Sequence, residues 1–136
     1  MKRIVALDCG DSWIGVAHTD MTQTIVIPHT TWKTKNINQD LKDYLHNNPV
    51  ECIVVGLPLA LKNNHSQQTK KVIEFTDNLK LLFPQYAFHF QDERLSSQFA
   101  QNQKNFFNIK HTPEKSEHAH AAAIILESFL QRTKNK

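Results

Sequence analysis

The chain has 136 residues, with 16 lysines and arginines against 13 aspartates and glutamates and a formal net charge of +3. This length suits one domain that buries an ordinary hydrophobic core without disulfides or a structural metal. Two cysteines inside apolar runs exclude a disulfide scaffold and favour a reducing compartment. Because no apolar run reaches about 18 residues and the N-terminus does not resemble a signal peptide, we expect no membrane anchor and a cytoplasmic location.

The first part of the chain predicts three antiparallel strands and a helix. Residues 3–9 and 13–19 are β-branched apolar runs separated by a short glycine-containing loop, which is typical of a hairpin. A third strand is predicted over 25–31, and its Pro28 favours a sheet edge because proline cannot donate to a ladder. Apolar residues at helical spacing then predict an amphipathic helix over 36–48.

The rest of the chain predicts alternating strands and helices. The apolar run 50–56 is bounded by proline and glycine, as in a strand buried on both faces of a parallel sheet. A helix is predicted after this strand, with Ser66 as its N-cap and Pro84 at its end. Three more segments are a strand over 86–90, a helix over 95–104 and a terminal helix over 112–132. This order predicts a single α/β domain over 1–136, with a mixed five-stranded sheet flanked by helices.

Two carboxylates lie at predicted strand ends. Asp8 comes near the end of an otherwise apolar strand, where a buried charge requires a cation or several donors. Glu93 directly follows the last strand, and ligands of open α/β sheets bind outside the strand ends. If these two strands are adjacent and parallel, the carboxylates lie a few ångströms apart, as two divalent ions holding a phosphodiester require. Each acid alone is equally compatible with a solvated loop or a structural salt bridge.

One histidine of the terminal helix belongs to its sheet-facing stripe. His118 precedes Ala122, Ile125 and Phe129 at helical spacing. Glu114 lies one turn earlier on nearly the same face, whereas Glu117 points about 100° away. A lone inward histidine is compatible with a hydrogen-bonded core residue as well as with a metal ligand.

Five segments together resemble the YqgF (RuvX) family, whose members are described as Holliday junction resolvases or pre-16S rRNA nucleases with an RNase H-like fold. The likeness runs over nearly the whole chain, and the order and spacing of the segments make it specific. The segments are ALDCGDSWIGVAHTD at 6–20, IVVGLPLAL at 53–61, QQTKKVIEF at 67–75, FQDERLSS at 90–97 and AHAAAIILESFL at 119–130.

The resemblance implies a metal-dependent nuclease. Asp8 corresponds to the family's first catalytic carboxylate and Glu93 to its second. The third is an aspartate of the final helix, and His118 stands at that position here. These three residues are the expected ligands of one or two divalent ions, Mg²⁺ or Mn²⁺, and imidazole suits manganese better than magnesium.

The expected partner is a nucleic acid, either precursor 16S rRNA or branched DNA. Ribosomal particles are a further expected partner, and a monomer or weak homodimer is the expected state. Four basic residues are candidates for phosphate contacts, with ordinary solvated charge as the alternative: Lys62, Arg94, Lys110 and Lys115. The sequence has no aromatic-rich surface for base stacking.

Two other functions remain open at this point. One is a catalytically weak RNA-binding or ribosome-assembly protein that keeps the RNase H-like fold. The other is an ATP-binding protein, because residues 8–16 resemble the phosphate-binding hairpin of sugar kinases and actin-like ATPases. The second is disfavoured by length, since those proteins duplicate the fold over a much longer chain.

Overall fold

The computed structural model describes residues 1–58, 67–92 and 114–134, with the backbone alone for 114–116. Its strands are β1 (Arg3–Cys9), β2 (Trp13–Thr19), β3 (Val26–Lys33), β4 (Val50–Leu57) and β5 (Ala87–Asp92). Its α-helices are α1 (Ile37–Asn47), α2 (Gln67–Leu82) and α3 (Glu114–Lys134). A single 3₁₀ turn over Thr34–Asn36 leads into α1.

The five strands form one sheet in the order β3-β2-β1-β4-β5. The first three strands pair antiparallel, while β4 is parallel to β1 and β5 is parallel to β4. The predicted mixed sheet and the edge position of the proline-containing strand are confirmed. The condition for a separation of a few ångströms between Asp8 and Glu93 is not met, because β4 lies between β1 and β5 and these two strands are not adjacent.

Each face of the sheet has its own hydrophobic core. Alternate strand residues such as Leu7 and Val16 pack on one side with α1 and α2. The other alternation, including Ala6 and Val54, packs under α3. Helix α3 extends across the sheet and contacts all five strands. The central strands therefore have buried side chains on both faces, as the apolar run at 50–56 predicted.

The element boundaries differ slightly from the sequence prediction. Strand β3 extends two residues beyond 31, because Trp13 and Lys33 still pair at its end. Strand β5 extends to Asp92, which pairs with Leu57. The predicted helix over 95–104 lies outside the described residues. Cys9 and Cys52 are not joined by a disulfide, and burial raises the pKa of Cys52 to about 11.

In the described part of the chain, no helix is long and apolar enough to cross a bilayer.

A pair of stacked histidines joins β2 and β3 to α1. The pairing of β2 with β3 is irregular at His29, where the register shifts by one residue. The His29 ring stacks there on the His18 ring, with a centroid distance of 4.4 Å. His18 Nδ1 is hydrogen-bonded to the Tyr44 hydroxyl at 2.7 Å. Burial, and then the neighbouring charges of His29 and Arg3, lower the pKa of His18 to about 4.

This histidine makes folding stability depend on pH. Its pKa in the folded protein is below the ordinary value of 6.5, so its contribution is present above pH 6.5 and is lost as the pH falls towards about 4. We expect the free energy of unfolding to fall by on the order of 2 kcal/mol over that range because of His18. The measurement is urea unfolding from pH 7 to pH 4.5, in which His18→Gln should show a flatter pH dependence than the wild type.

The matched control is His46→Gln, which replaces an exposed histidine of α1. Its pH dependence should follow that of the wild type. Parallel curves for the wild type and His18→Gln would exclude His18 as the origin of the acid sensitivity.

Candidate active site

Asp8 lies near the end of the central strand, on the side of the sheet that α3 covers. It continues the alternation of Ile4 and Ala6, whose side chains pack in the core beneath that helix. Asp8 is half-buried, whereas the residues before it in β1 are fully buried from Ile4 onwards. Strand β1 therefore places the Asp8 carboxylate at the boundary between the core and the solvent.

A glycine beside Asp8 allows α3 to approach the sheet very closely. Gly15 of β2 pairs directly with Asp8. A Cβ atom built on Gly15 would lie 1.8 Å from the carbonyl oxygen of His118 and 2.9 Å from the amide nitrogen of Ala119. The early turns of α3 thus rest on the strand next to Asp8. His118 is half-buried and Glu117 is exposed, which agrees with the predicted sheet-facing stripe.

A second glycine flanks Asp8 on the opposite side. The regular pairing of β1 with β4 reaches Leu7 and Val55, so Gly56 is the next residue along β4 and continues on the α3 side. On the other edge of β4, Gly56 pairs with Gln91 of β5. Gly56 has no side chain, so only its backbone lies between Asp8 and β5, the strand that precedes Glu93.

The far end of α3 is attached to β5 through an arginine. Arg132 Nε donates to Gln91 Oε1 at 2.9 Å, and Gln91 is only 3% exposed. The Arg132 guanidinium also lies 5.3 Å from the ring centroid of Phe129, whose ring is 5.6 Å from that of His89. The contact between Arg132 and Gln91 was not predicted from the sequence, although strand alternation places Gln91 on the same face of β5 as His89.

The hairpin that follows Asp8 is held by backbone and hydroxyl hydrogen bonds. Gly10 N–H donates to the Trp13 carbonyl at 3.0 Å. The Thr34 hydroxyl donates to the Gly10 carbonyl at 2.7 Å, and Thr34 N–H donates to the Ser12 carbonyl at 3.0 Å. The turn beside the candidate site is therefore tied to the end of β3.

The structure describes the side chains of two of the three predicted ligands, Asp8 and His118, and of none of the four predicted phosphate-binding residues. It places Asp8 and the His118 backbone beside the same glycine. Four predicted residues lie outside the described residues, namely Lys62, Glu93, Arg94 and Lys110, and the Lys115 side chain is also not described. Among the side chains described, those of 1–58, 67–92 and 117–134, no three histidines, cysteines, aspartates or glutamates gather closely enough to hold a metal.

The sheet order and the helix across it define the class of fold. A structure titled "T. thermophilus RuvC in complex with Holliday junction substrate" matches with a TM-score of 0.66 at 16% identity, over 98% of this chain and 96% of that one. A second structure, titled "Thermus thermophilus RuvC structure", matches with a TM-score of 0.62 at 14% identity, over 97% of this chain and 96% of that one. The domain has an RNase H-like fold.

The chain belongs to the RuvX Holliday junction resolvase family, whose model matches residues 2–132. A relative from Phocaeicola vulgatus is 31% identical, over 98% of this chain and 99% of that protein. Relatives from Fusobacterium nucleatum subsp. nucleatum and Wolbachia pipientis wMel are 33% and 32% identical, covering 98% and 99% of this chain and 100% and 86% of those proteins. All three are named "Putative pre-16S rRNA nuclease". The resemblance inferred from the sequence is confirmed.

Proposed function

We propose that the chain is a metal-dependent nuclease that hydrolyses nucleic-acid phosphodiesters, with the 5′ end of precursor 16S rRNA as its substrate. The observation that carries this proposal is the position of Asp8 between Gly15 and Gly56, with the His118 backbone packed against Gly15. This arrangement presents a carboxylate at a strand end beside an inward helix position. The names of the curated relatives favour precursor rRNA over other substrates.

The donors available here fit a divalent ion. Asp8 is half-buried, and a carboxylate at the border of a core is stabilised by a nearby cation. We assign Asp8, Glu93 and His118 as the ligands. Gln91 lies on the α3 side of the sheet, and Glu93 follows it by two residues in the sequence. One or two bound Mg²⁺ or Mn²⁺ ions would supply a water nucleophile at neutral pH and charge stabilisation for the leaving oxygen.

The protein itself contributes position and charge. The paired strands fix Asp8, and the contact of α3 with Gly15 fixes the height of His118 above the sheet. Arg94, Lys62, Lys110 and Lys115 are proposed to contact phosphates, which orients the scissile bond without reading sequence. Because phosphate contacts release counterions, such binding weakens as salt rises.

Cleavage assays with a defined panel of substrates test the proposed function. The panel contains a precursor 16S rRNA 5′ segment, a four-way DNA junction and unstructured RNA, each with Mg²⁺, with Mn²⁺ or with a chelator. We expect cleavage of the precursor rRNA that requires a divalent ion. Preferential cleavage of the junction would make this protein a resolvase, and binding without cleavage under every condition would make it an RNA-binding assembly protein.

Replacing the helix histidine should change the metal preference. His118→Asp is expected to raise the Mg²⁺-supported rate by about tenfold and the Mn²⁺-supported rate by much less. The reason is that a carboxylate supplies the hard anionic oxygen that Mg²⁺ prefers, while Mn²⁺ already accepts imidazole. The measurement is the ratio of initial rates with the two ions for the wild type and the variant.

Glu114 offers a different source of the third ligand, because it lies one turn before His118. Glu114→Gln and His118→Ala separate the two assignments. Loss of cleavage in His118→Ala alone supports the histidine as the ligand. Loss in Glu114→Gln alone would transfer the role to the glutamate.

A further inference from the structure

An aromatic and a cationic side chain lie together beside Asp8. Trp13 and Lys33 pair across β2 and β3, so their side chains share one face of the sheet. The Lys33 Nζ atom is 6.0 Å from the centroid of the Trp13 ring. Trp13 is half-buried and Lys33 is exposed, so part of this pair is accessible to solvent.

Strand register fixes the distance of this pair from the candidate site. Asp8 pairs with Gly15, and Trp13 lies two residues before Gly15 on the same strand. Asp8 and Trp13 are therefore diagonal neighbours on the α3 side, with Cα atoms about 7–8 Å apart. That separation equals roughly two stacking steps of a nucleic-acid strand, at about 3.4 Å each.

The strand segment that carries the tryptophan is fixed in place. The Trp13 carbonyl accepts the Gly10 amide at 3.0 Å, and Thr34 ties the same turn to the end of β3 through Gly10 and Ser12. The nearby carboxylate of Asp11 lies 3.8 Å from Lys71 Nζ, and the positive charge of Lys71 offsets the negative charge of Asp11. Because this backbone is already ordered, it loses little conformational entropy when a ligand binds beside it.

We propose that Trp13 and Lys33 form a nucleotide-binding subsite, in which the indole stacks on an unpaired base next to the scissile phosphate and Lys33 binds the adjoining phosphate. The subsite rests on the proposed nuclease function and specifies the substrate as a strand with an unstacked base at the cleavage position. Stacking on an aromatic side chain tolerates any base, since every base has a π-face. Lysine adds a sequence-independent contact.

Fluorescence distinguishes this subsite from ordinary packing, because the chain has two tryptophans and they lie on different faces of the sheet. Trp32 packs against Tyr44 on the α1 side, with ring centroids 5.9 Å apart. Trp32→Phe leaves Trp13 as the single reporter, and Trp13→Phe leaves Trp32 as the matched control. Each protein is titrated with an oligothymidylate of about eight nucleotides in the presence of a chelator, so that no cleavage occurs.

We expect the oligothymidylate to quench Trp13 and to leave Trp32 unchanged. An abasic strand of the same length supplies the phosphates without bases and should not quench Trp13. Trp13→Leu should weaken oligothymidylate binding about tenfold, while Trp13→Phe should retain most of it. Lys33→Gln should lower the slope of log affinity against log salt by about one.

Equal effects of the abasic strand and the oligothymidylate, or no quenching of Trp13, would overturn the subsite. The quenching experiment keeps the native Trp13, so a folding defect in Trp13→Leu does not prevent the test. The subsite and the nuclease fail separately. Base-dependent quenching without any cleavage contradicts the nuclease alone, and cleavage without quenching contradicts the subsite alone.

Discussion

Asp8→Asn is expected to abolish metal-dependent cleavage, lowering the rate by about 10³-fold or more, while the protein stays folded. The reason is that the amide keeps the shape of the side chain but removes the charge that a divalent ion requires. The folded state loses little, because a half-buried carboxylate is costly to desolvate. The measurements are the initial cleavage rate with Mg²⁺ or Mn²⁺ and the free energy of unfolding without metal.

The matched control for this substitution is Asp11→Asn, three residues along the same hairpin. The Asp11 side chain is 77% exposed and its ion pair with Lys71 is a surface contact. Such pairs contribute little to stability, so both the rate and the stability should remain near those of the wild type. Undiminished cleavage by purified Asp8→Asn would refute the role assigned to Asp8.

Gly15→Ala is expected to lower the free energy of unfolding by more than about 3 kcal/mol, although it adds only one methyl group. The added carbon would lie 1.8 Å from the carbonyl oxygen of His118, and backbone in the middle of a packed interface cannot move aside cheaply. Helix α3 must shift away from β2. Because the same shift moves His118 relative to Asp8, cleavage should fall together with stability.

Gly10→Ala provides a graded comparison for this prediction. Its added carbon would lie 2.8 Å from the Trp13 carbonyl oxygen, within a hairpin rather than beneath a helix. We expect a smaller loss, on the order of 1 kcal/mol, because a turn can widen. Urea unfolding of both variants measures the difference. Equal and small losses would show that α3 does not rest on Gly15.

The strands and helices were predictable from the sequence because their patterns are local. Alternation and β-branched runs indicated β1 and β2, and Pro28 indicated the edge position of β3. The helical spacing of apolar residues indicated α1 and the sheet-facing stripe of α3. Each of these signals depends on neighbours within about one or two turns of chain.

The features that depend on distant parts of the chain were not predictable. The sequence does not reveal that β4 lies between β1 and β5, because sheet order follows from packing of the whole domain. The approach of the His118 backbone to Gly15 joins segments about a hundred residues apart. By contrast, the position of Trp13 beside Asp8 depends on one hairpin only. Strand alternation and the hairpin register were enough to predict that position from the sequence.

Catalytic divalent ions at the strand end that carries Asp8 should be visible directly. Anomalous diffraction from crystals soaked in Mn²⁺ locates them, with Asp8→Asn crystals as the control. We expect one or two manganese peaks between Asp8, Glu93 and the start of α3 in the wild type, and their loss in the variant. Manganese bound elsewhere, or the same peaks in both proteins, would contradict a metal-dependent active site at Asp8.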